Sequence, residues 1–271
     1  MDISISLTNA RKISFDVVEG DGPACFLLSV RKCGSSVTNN ICRALAETNN
    51  RCFVDVGHTF FTNNIKAVEW RSEGALRQIV RPGVIYGGFR DAPVGLFDDQ
   101  IFQRSPKLIM IRDPRDALVS EYFSNAHSHA IPAPSEGYDG VGELMRAQRE
   151  AALSMDIGAY VTKRSQSMAR AMELYSSVLS MPNVLVLKYE NVILRKSTLI
   201  DQLASHFGLR VSQQNVDDIL GWADVIPAEE DPRAFVRQVL PGDYMRKLGP
   251  KTIAKLNAVL DGAMRLFEYA P

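Results

Sequence analysis

The sequence predicts an α/β fold in one domain: a central, mainly parallel sheet flanked by helices. Three observations carry that expectation. Short apolar runs recur as CFLLSV (25–30), CFVDVG (52–57), GVIYGG (83–88), KLIMIR (107–112) and VLVLKY (184–189). They are apolar at nearly every position rather than at alternate ones, as in strands covered on both faces. Stripes at helical spacing lie between or after them, and strands alternating with helices imply parallel pairing through crossovers.

Taken in order, the first segment alternates apolar and polar residues (ISISL, then KISFDVV) around TNAR, which predicts a hairpin. Residues 1–22 are read as a hairpin extension of a domain covering 1–271, with GDGP (20–23) closing it. Val37, Ile41, Ala44 and Leu45 form the first helical face, and Leu118, Tyr122 and Ala126 the second. Met168, Met172, Tyr175 and Leu179 form a third. Leu199, Leu203 and Phe207 form a fourth, with Gly208 as the stop. A last helix starts near Pro250 and carries Ile253, Leu256, Leu260 and Phe267. Residues 128–143 and 223–243 read as long loops, either a lid or acceptor-binding wall or ordinary surface excursions. No linker or internal repeat interrupts the chain.

Composition narrows the class. Of 271 residues, 46% are hydrophobic and 23% charged, as in a soluble globular protein. Lys plus Arg number 31 and Asp plus Glu 31, a balance that argues against a coat for nucleic acid or an anionic membrane. Cys25, Cys33, Cys42 and Cys52 show no zinc spacing and read as free thiols of a reducing compartment, two of them in the core. No apolar run is long enough to span a bilayer, and the first twenty residues lack the basic start and apolar centre of a signal peptide. The expected location is cytoplasmic.

The chemistry concentrates at two strand-to-helix seams. In RKCGSSV (31–37), Gly34 permits close backbone approach, Ser35 and Ser36 offer hydroxyls, Lys32 brings a mobile cation, and the following helix start presents N–H groups. The loop is neither GxxxxGK[ST] nor GxGxxG. It is equally a plain turn with Ser35 or Ser36 as N-cap. In KLIMIRDPRDALVSEYF, Asp113 and Pro114 start a helix, Arg112 closes the strand, and Ser120 follows about two turns on. Arginine at a strand's carboxyl edge overlooks the crevice where open α/β sheets bind ligands, and it suits two-point phosphate binding. Arg115 and Asp116 read as a pair with each other.

These segments, in this order, resemble the sulfotransferases that use 3′-phosphoadenosine-5′-phosphosulfate (PAPS). RKCGSSV is similar to the family's PKSGTTW-like loop, and Arg112 to Ser120 keeps the spacing of its 3′-phosphate motif. Tyr189–Glu190 with the later HFGL resembles a third signature, and RQVLPGDYMRKL (237–248) a fourth, RKGxxGDW. Together they cover residues 26–248. The departures are Val37 for an aromatic, Cys33 for Ser, Gln238 and Val239 for Lys and Gly, and Tyr244 for Trp. They put the fourth element's part in 3′-phosphate binding in question.

The resemblance implies a P-loop-like phosphosulfate site. Lys32, Cys33, Gly34, Ser35 and Ser36 would cradle the 5′-phosphosulfate, with Lys32 at the bridging oxygen. Arg112, Ser120 and Arg237 would hold the 3′-phosphate, and Tyr189 the adenine end. The reaction is sulfuryl transfer to a hydroxyl, less favourably an amine, of a small molecule, sugar or lipid, with no metal required and no nucleic-acid partner; a homo-oligomer is compatible. HSH (127–129) lacks a nearby carboxylate and reads as surface or capping residues rather than a metal site. Where many members have a His in KTHLP, this chain has Phe89, Arg90 and Asp91, so His58 is the first choice for general base and Asp91 the second. Phe60, Phe61, Phe89, Tyr138 and Tyr160 are candidates for an acceptor wall or the core. A P-loop kinase, or a nucleotide-binding module without turnover, are the alternative functions. The first lacks its GK[ST]; the second is opposed by Lys32.

Overall fold

The computed structural model describes residues 2–133 and 137–271. Five parallel strands form the central sheet in the order β4 (Phe53–Asp55), β5 (Ile85–Phe89), β3 (Cys25–Ser29), β6 (Lys107–Ile111), β7 (Val184–Lys188). All five apolar runs of the sequence are strands of this sheet. The three central strands are buried at every position, which is why their sequences do not alternate. β1 (Asp2–Ser6) and β2 (Lys12–Asp16) form a separate antiparallel hairpin. Its Ile5, Ile13 and Phe15 are buried in the main core, so the hairpin covers the domain rather than hanging from it.

The longer helices are α1 (Ser35–Thr48), α2 (Val56–Thr62), α3 (Pro114–Phe123), α4 (Asp139–Leu153), α5 (Ile157–Glu173), α6 (Lys196–Phe207), α7 (Gln213–Ala223) and α8 (Pro250–Leu266). Gly208 ends α6 in the left-handed region (φ 65°), where a residue without Cβ is favoured. The stripe Met168–Leu179 is divided: α5 stops at Glu173 and a short helix, Ser176–Leu179, carries the rest. Residues 128–143 are only partly a loop, since α4 begins at Asp139; residues 134–136 of that stretch lie outside the described residues. Residues 224–242 are irregular, as expected.

Register explains how the site assembles. Ile111 pairs with Lys188, so Arg112 and Tyr189 leave the sheet side by side. Ser29 pairs with Met110, which brings the loop after β3 to the same carboxyl edge. Chain order reverses direction between β3 and β6, the place where open α/β sheets form a ligand crevice. The four cysteines are free thiols; three are buried rather than two, with Cys52 partly exposed.

Candidate active site

A cavity of about 460 Å³ opens at that edge, lined by Lys32, Gly34, Ser35, Ser36, Arg112, Ser120, Tyr189 and Arg237 among others. Eight of the ten residues singled out from sequence therefore share one wall system. The other two do not. Cys33 faces the core: its Sγ donates to the Arg31 carbonyl at 3.6 Å and its N–H to that of Val30 at 3.3 Å, while burial pushes the thiol up to about 12. His58 lies in α2 and lines a second cavity of about 400 Å³ with Asp91. α2 follows the three-residue β4 immediately, and the His58 N–H is bound by the Asp55 cap at 2.9 Å. Arg90 lines both cavities.

The loop after β3 is built to leave donors free. Lys32 (φ 65°) and Gly34 (φ 82°) are both left-handed, a backbone form that turns successive N–H groups toward one point. Gly34 itself is the N-cap of α1 and no side chain caps the helix, so neither Ser35 nor Ser36 has the plain capping role. Among the described residues, the N–H groups of Gly34, Ser35, Ser36 and Val37 have no protein acceptor. The ring of Tyr189 stands 3.1 Å from where a Cβ on Gly34 would be, so a side chain there would crowd the ring as well as strain the backbone. Lys32 is pushed down to about 8, first by burial and then by the charges of Arg90 and Arg112.

Arg112 is the second anchor. It is only 4% exposed, yet its Nε and one terminal nitrogen, Nη2, have no hydrogen-bond partner. Its Nη2 is ion-paired to Asp116 only at 3.7 Å, its Nη1 donates a long bond to the Lys32 carbonyl at 3.5 Å, and the guanidinium lies over the Tyr189 ring at 4.3 Å. Buried guanidinium donors are costly to leave unpaired, so this geometry suits an anion placed in the cavity. Ser120 adds a hydroxyl with no protein partner among the described residues, since α3 carries it to the same wall. Tyr189 donates to the Val239 carbonyl at 3.1 Å and with Ile193 and Val239 makes a small apolar cluster against Val37.

Arg237 is differently placed. It is paired with Glu230 and with the fully buried Asp243, and it lies over the ring of Phe123. Asp116 explains why the loop is held there: its carboxylate accepts from the backbone N–H of Gly242 at 2.7 Å and of Tyr244 at 2.9 Å. The expected Arg115–Asp116 pair is thus replaced by two separate ties. Arg115 binds Asp113 at 2.7 Å and the Ala270 carbonyl at 2.8 Å.

Sequence reasoning missed several wall residues. Glu121 is buried between Arg31 and Arg164, each 2.7 Å away. Burial opposes its ionisation, but the two guanidiniums prevail and hold the carboxyl below its ordinary range. Arg31 is therefore largely spent inside the protein. His129, Gln148, Trp222 and Phe235 also line the cavity. The HSH triplet signalled His129 and the irregularity of 223–243 signalled Phe235; Glu121, Gln148 and Trp222 had no such signal. Of the aromatic acceptor candidates, Phe60, Phe89 and Tyr160 are core, whereas Phe61 lines the second cavity and meets Tyr138 with tilted rings, centroids 5.6 Å apart.

An uncapped helix start and a buried arginine with two hydrogen-bond donors unmet stand together at the carboxyl edge of the parallel sheet of an α/β protein. The chain belongs to the sulfotransferase domain family, which matches residues 23–223. Its fold is similar to that of mouse sulfotransferase SULT7A1 complexed with PAP, at 14% identity and a TM-score of 0.57, over 93% of this chain and 89% of that one. Two retinol dehydratase structures also align: one with androsterone and PAP (13% identity, TM-score 0.47, 89% of this chain and 80% of that one) and one with retinol and PAP (12%, 0.48, 97% and 90%). No curated protein sequence matches the chain.

Proposed function

We propose that the protein transfers a sulfuryl group from PAPS to a hydroxyl of a small-molecule, sugar or lipid acceptor. The observation that carries this reading is Arg112: a buried guanidinium with two nitrogens free of hydrogen bonds, in one cavity with four backbone N–H groups likewise free. A donor with phosphates at both the 3′ and 5′ positions satisfies both sets at once. In this reading Arg112 and Ser120 bind the 3′-phosphate, and the N–H groups of residues 34–37 with the Ser35 and Ser36 side chains bind the 5′-phosphosulfate. Tyr189 orders the adenosine end, and Trp222 and Phe235 at the cavity mouth supply rings for the base. Arg237 closes the wall as part of its ion-pair group more than as a free cation.

Sulfuryl transfer asks of the protein what phosphoryl transfer does: in-line positioning and stabilisation of charge on the leaving oxygen. Lys32 supplies the charge. The second cavity, with Phe61, His58 and Asp91, adjoins at Arg90 and suits the acceptor's body. No helix among the described residues is long and apolar enough to cross a membrane.

The reading is tested by thermal shift with adenosine 3′,5′-bisphosphate (PAP) beside AMP and ATP, and by transfer from radiolabelled PAPS across a panel of hydroxylated compounds. PAP should stabilise the protein well above AMP, with labelled product from at least one acceptor. Equal stabilisation by ATP and no transfer would favour the kinase or non-catalytic alternatives.

A further inference from the structure

The loop after α3 holds a histidine whose setting differs from that of His58. α3 runs on through a single π-helical turn, Ser124–Ser128, closed by the His129 N–H on the Ser124 carbonyl at 2.9 Å. Such turns re-aim the residue that follows and are frequent at functional sites. Arg149 of α4 fixes the turn by donating to the carbonyls of Asn125 and His129. The His129 ring is half-buried, has no hydrogen-bond partner among the described residues, and lines the same cavity as Lys32 and Ser120.

Its charged neighbours come from every side. Lys32 faces it from the loop after β3, Arg90 from the end of β5, Arg149 from α4, and Glu121 from α3. Burial first, and then the three cations against the one carboxylate, push the imidazole down to about 4. With the cavity free of donor the ring is neutral at physiological pH, able to accept a proton but weakly basic. A donor carrying phosphate and sulfate groups into this cluster offsets the cations that suppress it.

Resting on the donor reading above, we propose that His129 takes the proton from the acceptor hydroxyl, and does so only with the donor seated beside Lys32. The acceptor oxygen forms the new S–O bond as the bond from sulfur to the bridging oxygen breaks. The electron pair leaves on the bisphosphate oxygen faced by Lys32, and the hydroxyl proton passes to an imidazole nitrogen of His129. Donor and acceptor steps are thereby ordered, because hydroxyl activation waits for the donor's charge. His58, in the other cavity, and Asp91, ion-paired to Arg71 at 3.8 Å, stand outside this coupling.

The test combines calorimetry and transfer on the full chain. PAP is titrated at pH 6.5 in two buffers of different ionisation enthalpy, into wild type, His129→Gln, His58→Gln and His127→Gln. The expected result is that, beyond the protons PAP's own phosphates exchange in every variant, wild type takes up more protons than His129→Gln, since the product complex is the state in which the imidazole holds the proton. PAP affinity stays within about threefold, and exposed His127 makes no difference. This arm needs no acceptor. With PAPS and 2-naphthol, His129→Gln should lose transfer about 100-fold or more, and lose much less with p-nitrophenol, which ionises without help. His129→Asn, with a shorter side chain, should behave like His129→Gln and guards against a packing artefact. Unchanged proton uptake in His129→Gln overturns the proposal, as does transfer to 2-naphthol that His129→Gln leaves intact. Failure of the wild type to bind PAP overturns the donor reading itself, a distinct result.

Discussion

Arg112 and Arg237 line one cavity, yet they are opposites. Arg112 follows a central strand with two nitrogens lacking a hydrogen bond, over an aromatic ring and with Asp116 as a long ion-pair partner at 3.7 Å. Arg237 sits in an irregular loop with its charge met twice, by Glu230 and Asp243. Both belong to segments that resemble 3′-phosphate motifs. The difference teaches that a motif arginine is available to a ligand only where the protein has not already satisfied it, since a buried unpaired donor gains far more from an incoming anion than a paired one.

The largest effect is expected at Arg112. Arg112→Ala removes two charge-assisted bonds of about 1.5–3 kcal/mol each and should weaken PAP binding about 100-fold or more. The loss of PAP binding should exceed any loss of unliganded stability, because two of the guanidinium nitrogens have no hydrogen bond to lose; the PAP-induced rise in Tm disappears. A large loss of unliganded stability would break the contrast with Arg237.

Next comes Lys32. Lys32→Met should lower turnover about 10²–10³-fold while PAP affinity stays within about tenfold. Because burial and neighbouring cations bring Lys32 to about 8, its protonated form dominates below that pH and is lost above it. kcat/KM for PAPS should therefore fall as pH rises past about 8, and Lys32→Arg, whose guanidinium stays charged, should abolish the fall. Gly34→Ala forces a side chain into the left-handed region against Tyr189 and should cost about 1–2 kcal/mol, read as roughly tenfold weaker PAP binding or a lower Tm. The smallest effect sharpens the comparison from the other side. Glu230→Gln releases part of Arg237 and should tighten PAP binding about threefold by calorimetry; no change would mean that Asp243 alone holds the guanidinium.

What was legible in the sequence has a common physical form. The five strands were visible because buried parallel strands are apolar throughout, and the cradle and Arg112 were visible because a strand end, a glycine and a helix start are contiguous in the chain. The pairings that decide availability were not. Asp116 binds Gly242 across 126 residues, and Glu121 meets Arg31 and Arg164 across 90 and 43; no local pattern encodes such contacts. His58 was placed near the crevice by its strand end, but the chain turned into α2 at once and carried it to the second cavity. HSH, with His129, reads from sequence as surface or capping residues, because a π-helical turn leaves no periodic trace that would place the ring in the cavity.

The central claim is that one bisphosphorylated nucleoside spans both anchors. Its most direct measurement is a crystal structure with PAP. The account predicts 3′-phosphate oxygens within hydrogen-bond distance of Arg112 Nε and Nη2 and of the Ser120 hydroxyl, and the 5′-phosphate on the N–H groups of residues 34–37. Bound nucleotide that leaves Arg112 unpartnered, or its 3′-phosphate resting on Arg237 instead, would contradict it.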